Sequence, residues 1–452
     1  MNLLQRIFSP TILTISFLLL IYTFYKSEII WDGNNRNYYK TYYSISSILI
    51  FFSIITFFLN DKIKQYLIIS GLSLVVSLYL FEGYLISQKQ ISKDQLSKEQ
   101  LYEKQTGNKW DRREIIEIYK ELIKNDKKIA VRVPPRHYFK KNNYSIYALS
   151  GISNSKTLHC NENGYYSIYQ SDRYGFNNPD EDWDKKDIVF LVGDSFVHGN
   201  CVNRPNDLAS VLRSLSNKSV LNLGQSGSGP LIQFATLREY LDKNVKKVIW
   251  VYYEGNDLID LNNEKKNNIL INYLKDLNFT QNLKFKQSDI DSLLSNLIKE
   301  KVKVAEKQKY PHEGFEDRER EREINTFEFE LIKFVKIYNT RASILPAPAF
   351  PLPSEFKKIL QLTKELTDNN NSKLYFVYLP DYNRYKKIYD NTNYTSVKNI
   401  VNELKIPFID IHKEVFENEQ NPLKLFSFEQ PGHYDIGGYK KVTETIYKFS
   451  KD

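Results

Sequence analysis

Asp187-Ile188-Val189-Phe190-Leu191-Val192-Gly193-Asp194-Ser195-Phe196 is the stretch on which the fold turns. Its apolar run has no polar alternation, so it reads as a strand buried on both faces, as in a parallel sheet. Gly193 ends the run, Asp194-Ser195 opens a turn, and helical spacing follows from Asp207 to Ser216. The unit then repeats. Ser219 to Leu223 is a second strand, and Pro230 opens a helix reaching about Lys243, the position where proline starts helices. Lys247 to Tyr253 is a third strand. Leu374 to Leu379 and Ile406 to Ile411 are a fourth and fifth, each after a helical stretch, and Gly438 to Ser450 closes the chain as a helix. Strands alternating with helices imply right-handed crossovers and a three-layer α/β domain over residues 185–452, with five parallel strands. A charged, helical insertion at about 258–353 interrupts it. The insertion includes the run Glu316 to Glu323, read as a solvated helix face, and a stiff connector from Ile344 to Pro353.

Outward from this core, the first 90 residues have a different character. Three apolar runs, 7–25, 42–59 and 66–86, each approach the ~20 residues that span a hydrocarbon core as helix. Residues 1–90 are therefore expected to be a membrane anchor of three transmembrane helices, the last two joined as a hairpin around Asp61-Lys62-Ile63-Lys64. No small-x-small cleavage site follows the first run, which separates it from a removable signal peptide. Glu82, near the end of the third run, is expected to reach the interface or a neighbouring helix. Residues 91–184 read as a polar helical stalk followed by an irregular lead-in from Val131 to Tyr169.

Charge barely decides the orientation, since Arg6 and Lys62/Lys64 on one side face Lys26, Arg36 and Lys40 on the other. The two cysteines, Cys160 and Cys201, both lie in the soluble part. An even pair fits a disulfide in an oxidising compartment, and two unrelated buried thiols are the alternative. The expected location is the cell (inner) membrane, multi-pass, with the C-terminal domain outside the cytoplasm. The net charge of +9, from 63 Lys+Arg against 54 Asp+Glu, is spread along the chain. A nucleic-acid surface needs a clustered basic stripe, so nucleic acid is not an expected partner.

Chemistry concentrates where the strands end. Ser195 follows the first strand, where a serine stands above the sheet and its backbone N–H can face a developing oxyanion. After the second strand comes Asn222-Leu223-Gly224-Gln225-Ser226-Gly227-Ser228-Gly229-Pro230, and after the third Glu254-Gly255-Asn256-Asp257. Gly432-His433-Tyr434-Asp435 precedes the last helix. A parallel sheet gathers all four segments at one edge, bringing nucleophile, oxyanion donors and base together as acyl transfer requires. His198, three residues after Ser195, reads as a packing or rim residue. His137, His159, His312 and His412 lack a partner pattern, so no metal is expected. Gly224 to Gly229 has neither the dinucleotide fingerprint nor a P-loop lysine, and no cofactor is expected.

These four segments, in this order, resemble the SGNH hydrolase superfamily, also called GDSL-like, over about Asp187 to Ser450. The segment Ser171 to Pro179 is similar to one preceding this domain in membrane-anchored bacterial members. The resemblance implies a flavodoxin-like fold, Ser195 as nucleophile and His433 as general base. It implies an oxyanion hole from the Ser195 and Gly227 N–H groups and the Asn256 side chain, with Gly193, Asp194 and Asp257 close by. Two positions depart from the family pattern. Glu254 stands where a glycine is usual, and Gln430 stands where an acid often precedes the histidine. Three readings follow: Glu429 orients His433, the site works as a Ser–His dyad, or it binds without turnover. If the lead-in wraps the domain, Cys160 reaches Cys201 and braces the active-site loop. The implied function is a membrane-anchored serine esterase or O-acyltransferase acting on ester groups of an envelope glycan. The alternatives are a lipid esterase and an inactive SGNH-fold scaffold. An acylated glycan or lipid and the membrane are the expected partners.

Overall fold

The computed structural model describes residues 3–31, 33, 35–91, 96–135, 144–308, 331–345, 349–386 and 389–451. The charge run at 316–323 and part of the connector after Ile344 lie outside these. Two compact units divide the chain, one comprising 1–95, 313–351 and 387–391, the other 96–312, 352–386 and 392–452.

The first unit holds helices α1 (Leu3–Phe24), α2 (Arg36–Thr56) and α3 (Asp61–Ile91). Two of the three expected spans are long and apolar enough to cross a membrane: Gln5–Ile30, where α1 runs on into a π-helical turn, and Asp61–Gln88. α2 does not qualify. Arg36, Asn37 and Lys40 occupy its first turns, and Ser44, Ser46, Ser47 and Ser53 interrupt its apolar residues. Ser53 turns inward and shares a 3.2 Å hydrogen bond with Ser16 of α1. Glu82 is fully buried, as a carboxylate can be only with partners. It accepts from the backbone N–H groups of Asn339 (3.0 Å) and Thr340 (2.8 Å) and from both side chains, at the start of the helix Tyr338–Ile344.

The second unit begins with α4 (Lys98–Thr106), opened by a Ser97–Gln100 capping box, and α5 (Ile115–Leu122). The lead-in, expected to be irregular, forms a small sheet of its own. β1 (Ile129–Val131) runs parallel to β2 (Lys156–Leu158), which pairs antiparallel with β3 (Ile168–Gln170). These strands have three residues each, too short to show an apolar period, and tertiary packing specifies them. Ile129, Val131 and Leu158 are buried with Ile118 of α5 and Ile298 of α11 (Gln287–Gln308), a helix of the insertion.

The main sheet contains β4 (Ile188–Gly193), β5 (Val220–Asn222), β6 (Val245–Tyr253), β7 (Lys373–Leu379) and β8 (Phe408–Asp410), in the order β5-β4-β6-β7-β8. Every pairing is parallel. All six residues of β4 are buried, because helices cover both faces. The covering helices include α7 (Leu208–Ser216), α8 (Pro230–Tyr240), α12 (Glu355–Asn369), α13 (Thr392–Glu403) and α14 (Ile436–Ser450). The first strand lies between the second and third, which is the flavodoxin-like order. The chain reverses direction there, so a crevice opens beyond the carboxyl ends of β4 and β6.

Candidate active site

The ends of β4, β5 and β6 and the turn before α14 each bring one piece of the candidate site. Gly193 ends β4, and Asp194 caps the one-turn helix α6 (Ser195–His198), its Oδ1 accepting from Phe196 N at 3.0 Å. This cap fixes Ser195 at the helix start, 8% exposed. Burial pushes the Asp194 carboxyl up. Asp257, behind it, is pushed well above the usual carboxylate range by burial and then by the charge of Asp194, and it accepts from Tyr253 N at 3.0 Å.

Ser195 Oγ lies 2.8 Å from His433 Nε2 and 3.1 Å from Asp194 Oδ2. His433 comes from the turn before α14 and packs against Phe196, ring centres 4.8 Å apart. Its other nitrogen, Nδ1, is 2.9 Å from Glu162 Oε1, and its backbone N–H donates to Glu162 Oε2 at 3.0 Å. The acid facing His433 is thus Glu162, from the loop between β2 and β3. Glu429, the sequence-based candidate, is exposed and takes a hydrogen bond from Asn421 Nδ2 at 3.1 Å. Phe428 and Glu429 both have positive φ (58° and 54°), so the chain turns sharply before His433 and aims the Glu429 side chain elsewhere. Gln430 donates to Leu96 O at 2.8 Å and fastens the segment leading into α4.

Burial raises the Glu162 carboxyl. The hydrogen bonds and charge of His433, with the charge of Lys98, outweigh that and hold it at about 2. A group held ionised on Nδ1 leaves Nε2 free to accept the serine proton and stabilises the imidazolium that results. Several contacts anchor the loop. Cys160 is bonded to Cys201, with Cα atoms 5.4 Å apart, so the pair is a disulfide. Asn163 Nδ2 donates to Cys201 O (3.1 Å), Asn161 Nδ2 to Asp111 O (2.9 Å), and Asp111 N to Gly164 O (2.9 Å).

Of the expected oxyanion donors, Gly227 has φ +82°, a conformation glycine adopts freely, and a Cβ there would meet only open space. Gln225 N and Ser228 Oγ donate to Gly193 O (3.3 and 3.2 Å), which ties this loop to β4. Asn256 sits at the end of β6 as N-cap of α9 (Asp257–Glu264), and its Nδ2 donates to Asp260 Oδ2 at 2.7 Å. The amide nitrogen carries two protons, so this contact uses one and leaves the other for a ligand. Glu254 has a structural use. It accepts from Tyr378 Oη (2.6 Å), Asp381 N (2.9 Å) and the guanidinium of Arg384, locking the ends of β6 and β7.

The remaining histidines of this region form a support. His159 and His198 are buried with ring centres 4.1 Å apart, and burial holds both well below the usual imidazole range. Ser226 N donates to His198 Nδ1 (3.1 Å), which places the His198 proton on Nε2, toward Tyr169 Oη at 3.1 Å. His198 is therefore a neutral prop beneath the Gly227 loop. Segment Ser171 to Pro179 is a second prop. Asp172 accepts from Tyr174 N, Phe176 N, Asn178 Nδ2 and Trp183 Nε1 at 2.7–2.9 Å, and Asn178 pairs with the backbone of Asn222. Among the described residues no cluster of His, Cys, Asp and Glu could hold a metal ion.

The fold is thus flavodoxin-like α/β, with a serine, a histidine and a glutamate in a hydrogen-bonded line at its switch point. No family model and no curated protein matches the chain. Among solved structures it is similar to a lipolytic protein of the G-D-S-L family from Desulfitobacterium hafniense DCB-2, at 14% identity and a TM-score of 0.32, covering 58% of this chain and 99% of that one. It is also similar to an acetyl xylan esterase, at 12% identity and a TM-score of 0.30, covering 58% and 98%.

Proposed function

We propose that this protein is a membrane-anchored, extracytoplasmic serine esterase or O-acyltransferase of the SGNH type, acting on ester groups of an envelope glycan. The observation that carries the reading is the line Ser195 Oγ–His433 Nε2 (2.8 Å) and His433 Nδ1–Glu162 Oε1 (2.9 Å). A complete line supports turnover over a scaffold role, because Glu162 provides the acid that the residues before His433 do not.

In the first half-reaction Ser195 Oγ attacks the ester carbonyl carbon while His433 Nε2 takes the hydroxyl proton. The Glu162 charge offsets the imidazolium. Negative charge on the carbonyl oxygen meets the Ser195 and Gly227 N–H groups and the Asn256 amide. The tetrahedral species collapses, the bond to the alcohol breaks, and His433 returns its proton to the leaving oxygen. Acyl-Ser195 is then attacked by water, giving hydrolysis, or by a sugar hydroxyl, giving transfer, with His433 again taking the proton; the Ser195 Oγ–acyl bond breaks and His433 returns the proton to Ser195 Oγ.

The disulfide between Cys160 and Cys201 fits an oxidising compartment. Exposed apolar side chains on the spans, Leu18, Leu72 and Leu80 among them, fit a lipid surround. The half-exposed rings of Tyr102, Trp110 and Phe428, the last of them in the turn before His433, favour a sugar over an acyl chain as the bulk of the substrate. Labelling of native membranes with a fluorophosphonate tests the core of the reading. Wild type should label, and Ser195→Ala and His433→Ala should not; labelling that persists in a folded Ser195→Ala protein refutes the nucleophile.

A further inference from the structure

Lys98 opens α4 and is half-buried. Among the described residues its ammonium donates no hydrogen bond and makes no direct ion pair, although the Glu162 charge acts on it across Gly432. Its position is defined by Gly432, the residue before His433. A Cβ built there would lie 2.7 Å from Lys98 Nζ and 2.9 Å from Glu162 Oε2, so glycine leaves the space that the ammonium occupies. Both Glu162 oxygens already accept from His433. A partly desolvated ammonium with three donors and no acceptor is costly unless something supplies one.

One turn along α4, on the same face, Tyr102 meets Trp110 and Phe428 edge-on, with ring centres 5.7 and 6.5 Å away; Trp110 and Phe428 are 6.3 Å apart. All three rings are half-exposed. They lie beside the loops that carry Glu162 and His433, since the Tyr102 ring abuts Gly164 and Phe428 is in the turn before His433. The side matters chemically. His433 returns its proton to the leaving alcohol, so the sugar half of a glycan ester lies toward His433 while the carbonyl oxygen faces Gly227 and Asn256. Partly exposed aromatic faces suit the apolar face of a sugar ring, and an ammonium without a direct hydrogen-bond partner suits an anion on that ring.

We propose that Lys98 and the Tyr102–Trp110–Phe428 cluster form a subsite for a sugar bearing a negative group, a carboxylate or a phosphate, near the acylated hydroxyl. This rests on the glycan-ester reading and narrows it to anionic glycans. Lys98 sets specificity without touching the reacting atoms, and its charge also helps to keep Glu162 ionised.

The test uses the detergent-solubilised full chain and three matched substrates: acetylated methyl galactoside, the corresponding galacturonoside, and the galactoside phosphate. In wild type, kcat/KM for a charged ester should exceed that for the neutral one about tenfold, or about 1.4 kcal/mol. Lys98→Gln should bring that ratio near one, Lys98→Arg should keep it, and Lys104→Gln, on the exposed side of α4, should leave it as in wild type. A preference confined to one charged ester identifies the anion. Equal ratios in wild type and Lys98→Gln overturn the subsite, as does a parallel loss on all three esters, which marks Lys98 as acting on Glu162 alone. If wild type neither labels with fluorophosphonate nor hydrolyses any ester, the catalytic reading has failed separately. Calorimetric binding of unacetylated galacturonoside and galactoside phosphate, each compared with galactoside, then decides the subsite by the same ratio.

Discussion

Replacing Glu162 by glutamine keeps the size of the side chain and removes its charge. The carboxyl is held at about 2 against an ordinary value of 4.5, and the hydrogen bonds and charge of His433 are the main lowering influence. A difference of that size corresponds to roughly 3 kcal/mol of preference for the ionised form. Most of it operates when His433 carries the proton, which is the state reached in the transition state. Losing it should cost about two orders of magnitude in kcat, with KM for a small ester such as p-nitrophenyl acetate little changed. The Glu162 side chain is 26% exposed and that of His433 17%, so solvent weakens the pair only in part. The assay is hydrolysis of p-nitrophenyl acetate by detergent-solubilised wild type, Glu162→Gln and Glu429→Gln. A Glu162→Gln rate within threefold of wild type would refute the assignment, and a large loss in Glu429→Gln would restore the acid nearer in sequence. Stability provides an independent reading. Because the folded carboxyl titrates below its unfolded value, its contribution is fully present above about pH 4.5 and is lost as pH falls toward 2. Thermal melts between pH 5 and 3 should fall more steeply for wild type than for Glu162→Gln.

Cys201→Ser should act on both stability and rate. The bond closes a loop of 41 residues, worth about 3–4 kcal/mol by loop entropy, and it anchors the turn that carries Glu162. A lower melting temperature together with at least a tenfold drop in kcat is expected; a lower melting temperature with an intact rate would mean that the Asn161, Asn163 and Asp111 contacts hold the acid unaided. Asp172→Asn turns an acceptor of four hydrogen bonds into a group with an N–H₂ facing donors, at a cost of about 2–3 kcal/mol. Its melting temperature should fall by several degrees, and an unchanged melt would remove Asp172 as the anchor of the lead-in.

What the sequence revealed and what it hid follow one physical division. The strands of the main sheet could be read because each is a local apolar run followed by a turn. Asp207, expected at a helix start, is the N-cap of α7, its side chain accepting from Ser210 N. Ser195 and His433 could be read for the same reason, since each sits in a short segment whose residues fix its geometry. The three-residue strands of the lead-in could not, because they exist only through packing against α5 and α11. Nor could the acid. A search confined to the residues before His433 meets Glu429, but the backbone at Phe428 and Glu429 points that side chain outward. The carboxylate that faces the imidazole lies 271 residues upstream.

One long-range signal was present all the same. Cys160 and Cys201 are the only cysteines, and Cys201 follows Ser195 by six residues. Once they are paired, whatever flanks Cys160 must lie within a few residues' reach of Ser195, and the one acid there is Glu162. A cross-link therefore carries more site information than proximity in sequence does. It turns an ambiguous local choice between Glu429 and no acid into a geometric constraint, and the constraint selects a residue that no motif around His433 contains. The same reasoning assigns Gln430 its place. With the acid supplied from the lead-in, the position before His433 no longer needs a carboxylate, and an amide there can instead hold the chain that brings Lys98 to the site.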